Sequence, residues 1–234
     1  MLRAFFYYLL FFPWTFVSIL LALLCALLSG QNAAHRVGII WGRSCLWLAG
    51  LKLKVVGAEN IPPTVPAIYV SNHQSNFDIP IFYAGLPIQF RWLAKQELFK
   101  VPLFGTAMKY CGYIPIDRSN RRKAMESLNL AAQRIKDGAS VIIFPEGTRT
   151  ADGRLQEFKK GALILAAKAR VPVVPVTIKG SFRVQSKDSL KITPGPLELI
   201  ISPPLATEHL QNRDIDPLTR QIHDRIAANL QGAE

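Results

Sequence analysis

The stretch Val65-Pro66-Ala67-Ile68-Tyr69-Val70-Ser71-Asn72-His73-Gln74-Ser75-Asn76-Phe77-Asp78 decides how the chain is read. Its first half is β-branched and apolar, as a buried strand should be. The second half turns polar at once, so His73 stands where the chain leaves a sheet, a common place for reactive side chains on α/β scaffolds. Asp78 follows His73 by five residues, a step that rotates about 140° around a helix. One straight helix would put the two on different faces. A turn must therefore bring them together, with Asp78 at or near the start of the next helix. An aspartate bonded to one imidazole nitrogen fixes the tautomer and leaves the other nitrogen free to accept a proton. On residue types alone, a histidine beside an aspartate is more often a satisfied structural pair.

A second polar island shifts that balance. Phe144-Pro145-Glu146-Gly147-Thr148-Arg149 follows another apolar strand, Ser140-Val141-Ile142-Ile143. Two strand ends carrying dense polar groups punctuated by Gly and Pro point to a shared site. At these islands the sequence resembles the 1-acylglycerol-3-phosphate (lysophosphatidate) acyltransferases and the wider glycerophospholipid acyltransferase family, which carry an Asn-His-x-x-x-x-Asp block and a Phe-Pro-Glu-Gly-Thr-Arg block. Weaker likenesses lie between and after them: Ala94-Lys95-Gln96-Glu97-Leu98 with Pro102 and Gly105, Gly112-Tyr113-Ile114-Pro115-Ile116-Asp117-Arg118, and the apolar Val171-Pro172-Val173-Val174-Pro175-Val176. The resemblance runs from about Gly57 to Thr177.

The resemblance implies transfer of an acyl group from a thioester, acyl-CoA or an acyl carrier protein, to the free hydroxyl of 1-acylglycerol-3-phosphate. Such a transfer needs a base for the hydroxyl, stabilisation of the tetrahedral oxyanion and positioning of both substrates. His73 is the candidate base and Asp78 its orienting partner. The resemblance assigns Arg118 and Arg149 to the acceptor phosphate, for which a guanidinium offers a two-pronged contact. It also places Lys95, Glu146, Gly147 and Thr148 in the substrate site. Glu146 is expected to accept hydrogen bonds from the glycerol or to orient an arginine, with an ion pair to Arg149 as the compatible alternative. Gly147 would let the backbone approach a substrate closely. No Gly-x-Ser-x-Gly elbow is present, so a covalent serine mechanism lacks its usual signature, and Ser71 and Ser75 read as ordinary loop serines. No metal or other cofactor is expected. Acylation of glycerol-3-phosphate or of another lysophospholipid is the alternative within the class. Hydrolysis of acyl thioesters by the same His/Asp pair, or a non-catalytic lipid-binding role, is the alternative outside it.

Composition agrees with a lipid partner. The 234-residue chain carries a formal charge of +12 while half of its residues are hydrophobic. Nucleic-acid binders are seldom so apolar, and no finger, RNP-like or basic-helix motif occurs, so nucleic acid is not an expected partner. A basic, apolar protein suits an anionic lipid surface, where each Lys or Arg contributes about 1 kcal/mol. His35, His209 and His223 lie outside any motif and read as structural or surface residues. Cys25, Cys45 and Cys111 are unpatterned and read as reduced, packed thiols.

The chain divides near residue 50, into a membrane-anchoring segment (1–50) and an α/β domain (51–234). Between Arg3 and Arg36 there is no Asp, Glu, Lys or Arg, and Phe5 to Leu28 is long enough to span roughly 30 Å of hydrocarbon. A cleavable signal is not expected. Pro13 leaves a bent span and a re-entrant hairpin both open. Val37, Ile40, Trp41, Ser44, Leu48 and Leu51 then fall at helical spacing, with Trp41 and Trp47 suited to the headgroup region. The resemblance implies that these segments form a two-helix anchor. Arg36, Arg43, Lys52 and Lys54 follow the apolar run and only Arg3 precedes it, which places the catalytic domain on the cytoplasmic face, as at a bacterial inner membrane.

Beyond residue 50 the expected strands are Leu53–Val56, Ala67–Val70, Phe90–Leu93, Tyr113–Ile116, Val141–Phe144, Val173–Ile178 and Leu197–Ile201. Expected helices are Asn120–Asp137 with Ser119 as N-cap and Gly138 as its stop, Lys160–Lys168, and a last one capped by Asp216 with Pro217 at its first position. The fold class is α/β, with a mostly parallel or mixed central sheet flanked by helices.

Overall fold

The computed structural model describes residues 2–117, 119–211 and 214–232, apart from the side chain of Ala162. Two helices open the chain, α1 (Leu2–Ser29) and α2 (Gln31–Leu48), joined at Gly30. They precede strands β1 (Leu53–Val56), β2 (Ile68–Ser71), β3 (Phe90–Lys95), β4 (Ile114–Ile116), β5 (Ser140–Ile143), β6 (Val173–Lys179) and β7 (Leu197–Ile201). Between and after them lie α3 (Asp78–Gly85), α4 (Phe104–Tyr110), α5 (Arg121–Lys136), α6 (Lys160–Ala169), α7 (Ser181–Val184) and α8 (Ile215–Gln231).

The strands form a seven-stranded sheet in the order β1-β7-β6-β2-β5-β3-β4, and every pairing is parallel except β6 with β7. Side chains alternate across a strand, so each strand feeds two cores. Ile68, Val70, Val141 and Ile143 pack against Leu128, Ala131 and Ile135 of α5, Leu163 of α6 and Ile222 and Ile226 of α8. Tyr69, Ile142, Val174 and Val176 face the other way, onto Ile81 and Phe82 of α3 and onto Tyr7, Leu46 and Ala49 of the N-terminal region. Covering on both faces is what a largely parallel sheet needs.

Three expectations are corrected. The cap of α5 is Asn120, whose Oδ1 accepts the Lys123 N–H at 2.9 Å, and not Ser119. Gly138, just beyond the C-terminal end of α5, has φ 98, a conformation open to glycine. Helix α8 starts at Ile215, so Asp216 lies inside its first turn and instead accepts from Lys160 Nζ at 2.7 Å.

The third correction concerns α2, expected as the second helix of the anchor: among the described residues only α1 is long and apolar enough to cross a membrane. The face it buries is Ala34, His35, Gly42, Cys45 and Leu46, whereas Ile40 is exposed. Of the expected stripe, Trp41 and Leu48 pack against the core and Leu51 is buried in it, while the closest approaches are made at glycines. A Cβ at Gly42 would come within 2.8 Å of Pro80 O, and one at Gly38 within 2.5 Å of the Tyr83 ring. Trp41 ties the two helices together, donating from Nε1 to Thr15 Oγ1 at 3.0 Å, while Trp47 is exposed. Buried His35 bonds through Nε2 with Ile88 O at 3.0 Å, and burial pushes its imidazole pKa down to about 4.

Helix α1 passes through Pro13 without interruption and is long and apolar enough to cross a membrane, by length and composition. Among the described residues α2 does not meet that test. Leu9, Leu10, Phe12, Phe16, Leu20, Leu24, Leu27 and Leu28 of α1 all face outward. Its other side is held to the domain by Tyr7 against Phe77 (centroids 5.7 Å apart) and by Gln185 Nε2 donating to Tyr8 Oη at 2.6 Å.

Candidate active site

Strand pairing brings the two polar islands together. β2 and β5 are parallel neighbours, with Val70 opposite Ile143, so the loops that leave their C-terminal ends emerge side by side. Asn72 closes the other flank. Its side chain donates to Ile178 O at 2.9 Å and accepts from Ile178 N at 2.8 Å, and so extends the pairing of β2 with β6 by one step.

His73 then turns back onto Asp78, the first residue of α3. His73 Nδ1 lies 2.8 Å from Asp78 Oδ2, and that same oxygen accepts the Gln74 N–H at 2.7 Å and the Ser75 N–H at 2.9 Å. A carboxylate only accepts, so Nδ1 is the donor and Nε2 is left as the acceptor of the ring. Asp78 is fully buried, and the start of a helix favours its negative charge. The imidazole lies flat on Phe144, with centroids 4.0 Å apart and an interplanar angle of 11°, and Phe144 in turn stacks on Trp92. Two rotations of the His73 ring are thereby fixed, one by a carboxylate and one by an aromatic floor.

The second island holds the first by its backbone. Glu146 Oε1 accepts the His73 N–H at 2.6 Å, and its Oε2 accepts from Gln156 N and Nε2, each at 3.1 Å. Both oxygens are thus engaged within the loops, and no ion pair joins Glu146 to Arg149. Burial pushes the Glu146 carboxyl above the usual carboxylate range, against the pull of these hydrogen bonds. Thr150 N donates to His73 O at 3.0 Å. Arg149 reaches across the same gap, and its Nη1 donates to Asn76 Oδ1 at 2.7 Å. Gly147 has φ 78, a left-handed conformation that favours glycine. Thr148 is exposed, and its carbonyl accepts from Gln156 Nε2 at 3.2 Å.

Lys95 ends β3 on this same edge, exposed and 3.7 Å from Glu97. Such a surface pair contributes little, so Lys95 is held only loosely. Arg118 lies outside the described residues. Phe144, Gln156 and Asn76 are the residues that reading for reactive groups passed over. Phe144 could have been noticed from its place in the Phe-Pro-Glu-Gly-Thr-Arg block, whereas Gln156 carried no signal.

A cavity of about 450 Å³ opens beside His73. Its polar end has His73, Asn76, Lys95 and Gly147, and it extends back along Trp92 and Leu93 of β3 and Phe104 and Met108 of α4. Helices α1 and α2 close it with Thr15, Ile19, Ala22, Val37 and Trp41. The N-terminal helices therefore supply one wall of the site. Among the described residues no group of three or more His, Cys, Asp and Glu could hold a metal ion.

A largely parallel α/β sheet with a histidine held by a buried aspartate at its carboxyl edge, beside an apolar cavity, makes a candidate active site. Residues 52–179 match the Acyltransferase family model, and the chain belongs to that family. It is 33% identical over 226 residues to a 1-acyl-sn-glycerol-3-phosphate acyltransferase of Limnanthes douglasii, an alignment covering 96% of this chain and 75% of that one. It is 36% identical over 198 residues to the chloroplastic 1-acyl-sn-glycerol-3-phosphate acyltransferase LPAT1 of Arabidopsis thaliana, covering 84% of this chain and 54% of that one. The chain spans about half the length of LPAT1 and of BAT2, a further chloroplastic relative from Brassica napus. The crystal structure of the 1-acyl-sn-glycerophosphate (LPA) acyltransferase PlsC from Thermotoga maritima superimposes with a TM-score of 0.83 at 27% identity, over 98% of this chain and 94% of that one.

Proposed function

We propose that the protein transfers a fatty acyl group from acyl-CoA or an acyl carrier protein to the free hydroxyl of 1-acylglycerol-3-phosphate, giving phosphatidate. The observation that carries this reading is the His73–Asp78 pair, ring and carboxylate 2.8 Å apart, at the polar end of an apolar cavity. As the acceptor oxygen attacks the thioester carbonyl, Nε2 of His73 takes its proton and Asp78 stabilises the imidazolium. When the tetrahedral intermediate collapses, the C–S bond breaks. The proton on Nε2 then passes to the departing sulfur, so ester and thiol leave and His73 is neutral again. The cavity beside the ring takes the acyl chain. Glu146 acts by holding the His73 backbone, and Phe144 by fixing the plane of the ring.

Arg149, held over the His73 loop by Asn76, takes the acceptor phosphate together with Arg118, and Lys95 adds a nearby cation. Gly147 and Thr148 bring the backbone of the second loop to the substrate. The apolar outer face of α1 anchors the protein to a membrane, with the catalytic domain on the cytoplasmic side, as at a bacterial inner membrane. Because the inner side of α1 packs on α2 and α4 and walls the cavity, this helix is better suited to lie along one leaflet than to cross the bilayer. In that position an acceptor already in the membrane reaches His73 without leaving lipid.

The test is to supply radiolabelled acyl-CoA with and without lysophosphatidate. Labelled phosphatidate formed only with the acceptor is the expected result. Free fatty acid formed at the same rate in both would make the protein a thioester hydrolase instead.

A further inference from the structure

At the opposite end of β3 from Lys95, a second cavity of about 440 Å³ lies between the α1–α2 turn and the beginning of the sheet. Its walls include Gln31, Asn32, Arg91, Gly112, Arg134 and Asp137. Arg91 and Lys95 are four residues apart on one strand, roughly 13 Å, so this cavity is distinct from the one beside His73.

Arg91 is a buried cation with neutral partners. It is 6% exposed, yet its acceptors are Phe90 O at 2.9 Å, Asn32 Oδ1 at 2.8 Å, and, at the long limit, Gln89 Oε1 at 3.4 Å and Gln31 Oε1 at 3.5 Å. No carboxylate is among them. A buried charge without a counter-charge is costly. Burial and the nearby Arg134 both act against its charge. Asp137, on the wall, has its Oδ1 taken by Gln133 Nε2 at 2.9 Å. The same cavity receives the start of the 18-residue helix α2, whose first turn has no acidic residue and no side-chain cap because Gly30 stands at the cap position. The amide groups and the dipole there favour an anion.

We infer that this cavity binds a phosphate group, between the Arg91 and Arg134 guanidiniums and the first turn of α2. Leu27 and Leu28, 57% and 75% exposed at the end of α1, lie next to it in sequence, so an anionic phospholipid would place its headgroup phosphate in the cavity and its chains along α1. Such a site would seat the end of the anchor on lipid independently of the acyl transfer proposed above. A free phosphate is the other source of the same chemistry.

The experiment uses the full chain in neutral detergent, carrying Arg149→Ala to weaken phosphate binding at the His73 end. Inorganic phosphate and dihexanoyl phosphatidylglycerol are titrated in separately at constant ionic strength, with binding read by calorimetry. Arg134 is exposed on α5, so Arg134→Gln will leave the fold intact, and it should weaken binding about tenfold or more. Arg122→Gln removes the same charge from the other end of that helix, about 18 Å away, and should change little. Phosphatidylglycerol binding more tightly than inorganic phosphate assigns the site to lipid, and equal binding assigns it to the free ion. If Arg134→Gln has no effect, or no more effect than Arg122→Gln, the attraction is diffuse and the site is refuted.

Discussion

The two loops at residues 72–78 and 144–150 and the helical pair at residues 2–48 are held to the same sheet by different forces. In the loops, Asn72, His73, Asp78, Glu146 and Arg149 each have a hydrogen-bond partner within 3.1 Å. In the helices, attachment comes from close contact at Gly38 and Gly42, from ring contacts of Tyr7, and from a few bonds such as His35 with Ile88 O and Gln185 to Tyr8. Directional bonds fix the orientation of a group, whereas close packing fixes the distance between elements. Changes in the loops should therefore alter chemistry at constant stability, and changes in the helical pair should alter stability and placement.

The largest effect is expected at His73. His73→Ala should lower turnover by at least about 10²-fold while circular dichroism and the unfolding midpoint stay near wild type. Asp78→Asn should also impair turnover, because an amide can offer Nδ1 the wrong hydrogen-bonding partner. A folded His73→Ala protein with near-normal turnover would remove the contrast at its strongest point.

Next is Arg149. Losing one charge-assisted contact to phosphate should cost roughly 1.5–3 kcal/mol, or about 10- to 150-fold in acceptor-dependent kcat/KM. Arg149→Lys should recover only part of this, since lysine lacks the two-pronged guanidinium. The KM for the thioester should barely move. A raised thioester KM with the acceptor spared would place Arg149 on the donor instead.

The smallest effect on chemistry, and the one that tests the packing side, is expected at Gly42. The added side chain of Gly42→Val meets Pro80 O and Tyr83, and overpacking of this kind costs about 1–3 kcal/mol. The unfolding midpoint should fall, and activity on bilayer-embedded acceptor should fall more than activity on a short-chain, water-soluble one. Unchanged stability would mean that α2 is not held by this contact.

The strands were legible because their apolar, β-branched runs are bounded by turn residues. The run Leu197–Ile201 is a strand at those same residues, and β2 and β5 shift from the expected limits by a single residue. The close pairing of His73 with Asp78 was legible because one short turn separates the end of β2 from the start of α3. Asp216 misled because an aspartate before a proline has the chemistry of a cap, whereas the helix begins one residue earlier, at Ile215, with no side-chain cap. The contact of α2 with the domain was legible only in part: Trp41 and Leu48 do pack on the core, but the close approach at Gly38 and Gly42 carries no hydrophobic signal.

From local order alone, the sequence determined where strands start, which residues form each polar island, and that a long uncharged segment comes first. Their arrangement in space depended on pairings between segments far apart in the chain. Glu146 meets His73 across 73 residues because β2 and β5 are neighbours. The α1–α2 pair becomes a wall of the His73 cavity because Gly38 and Gly42 allow close approach to α3. Backbone pairing and steric fit act between surfaces that exist only after folding, so no window of sequence contains them.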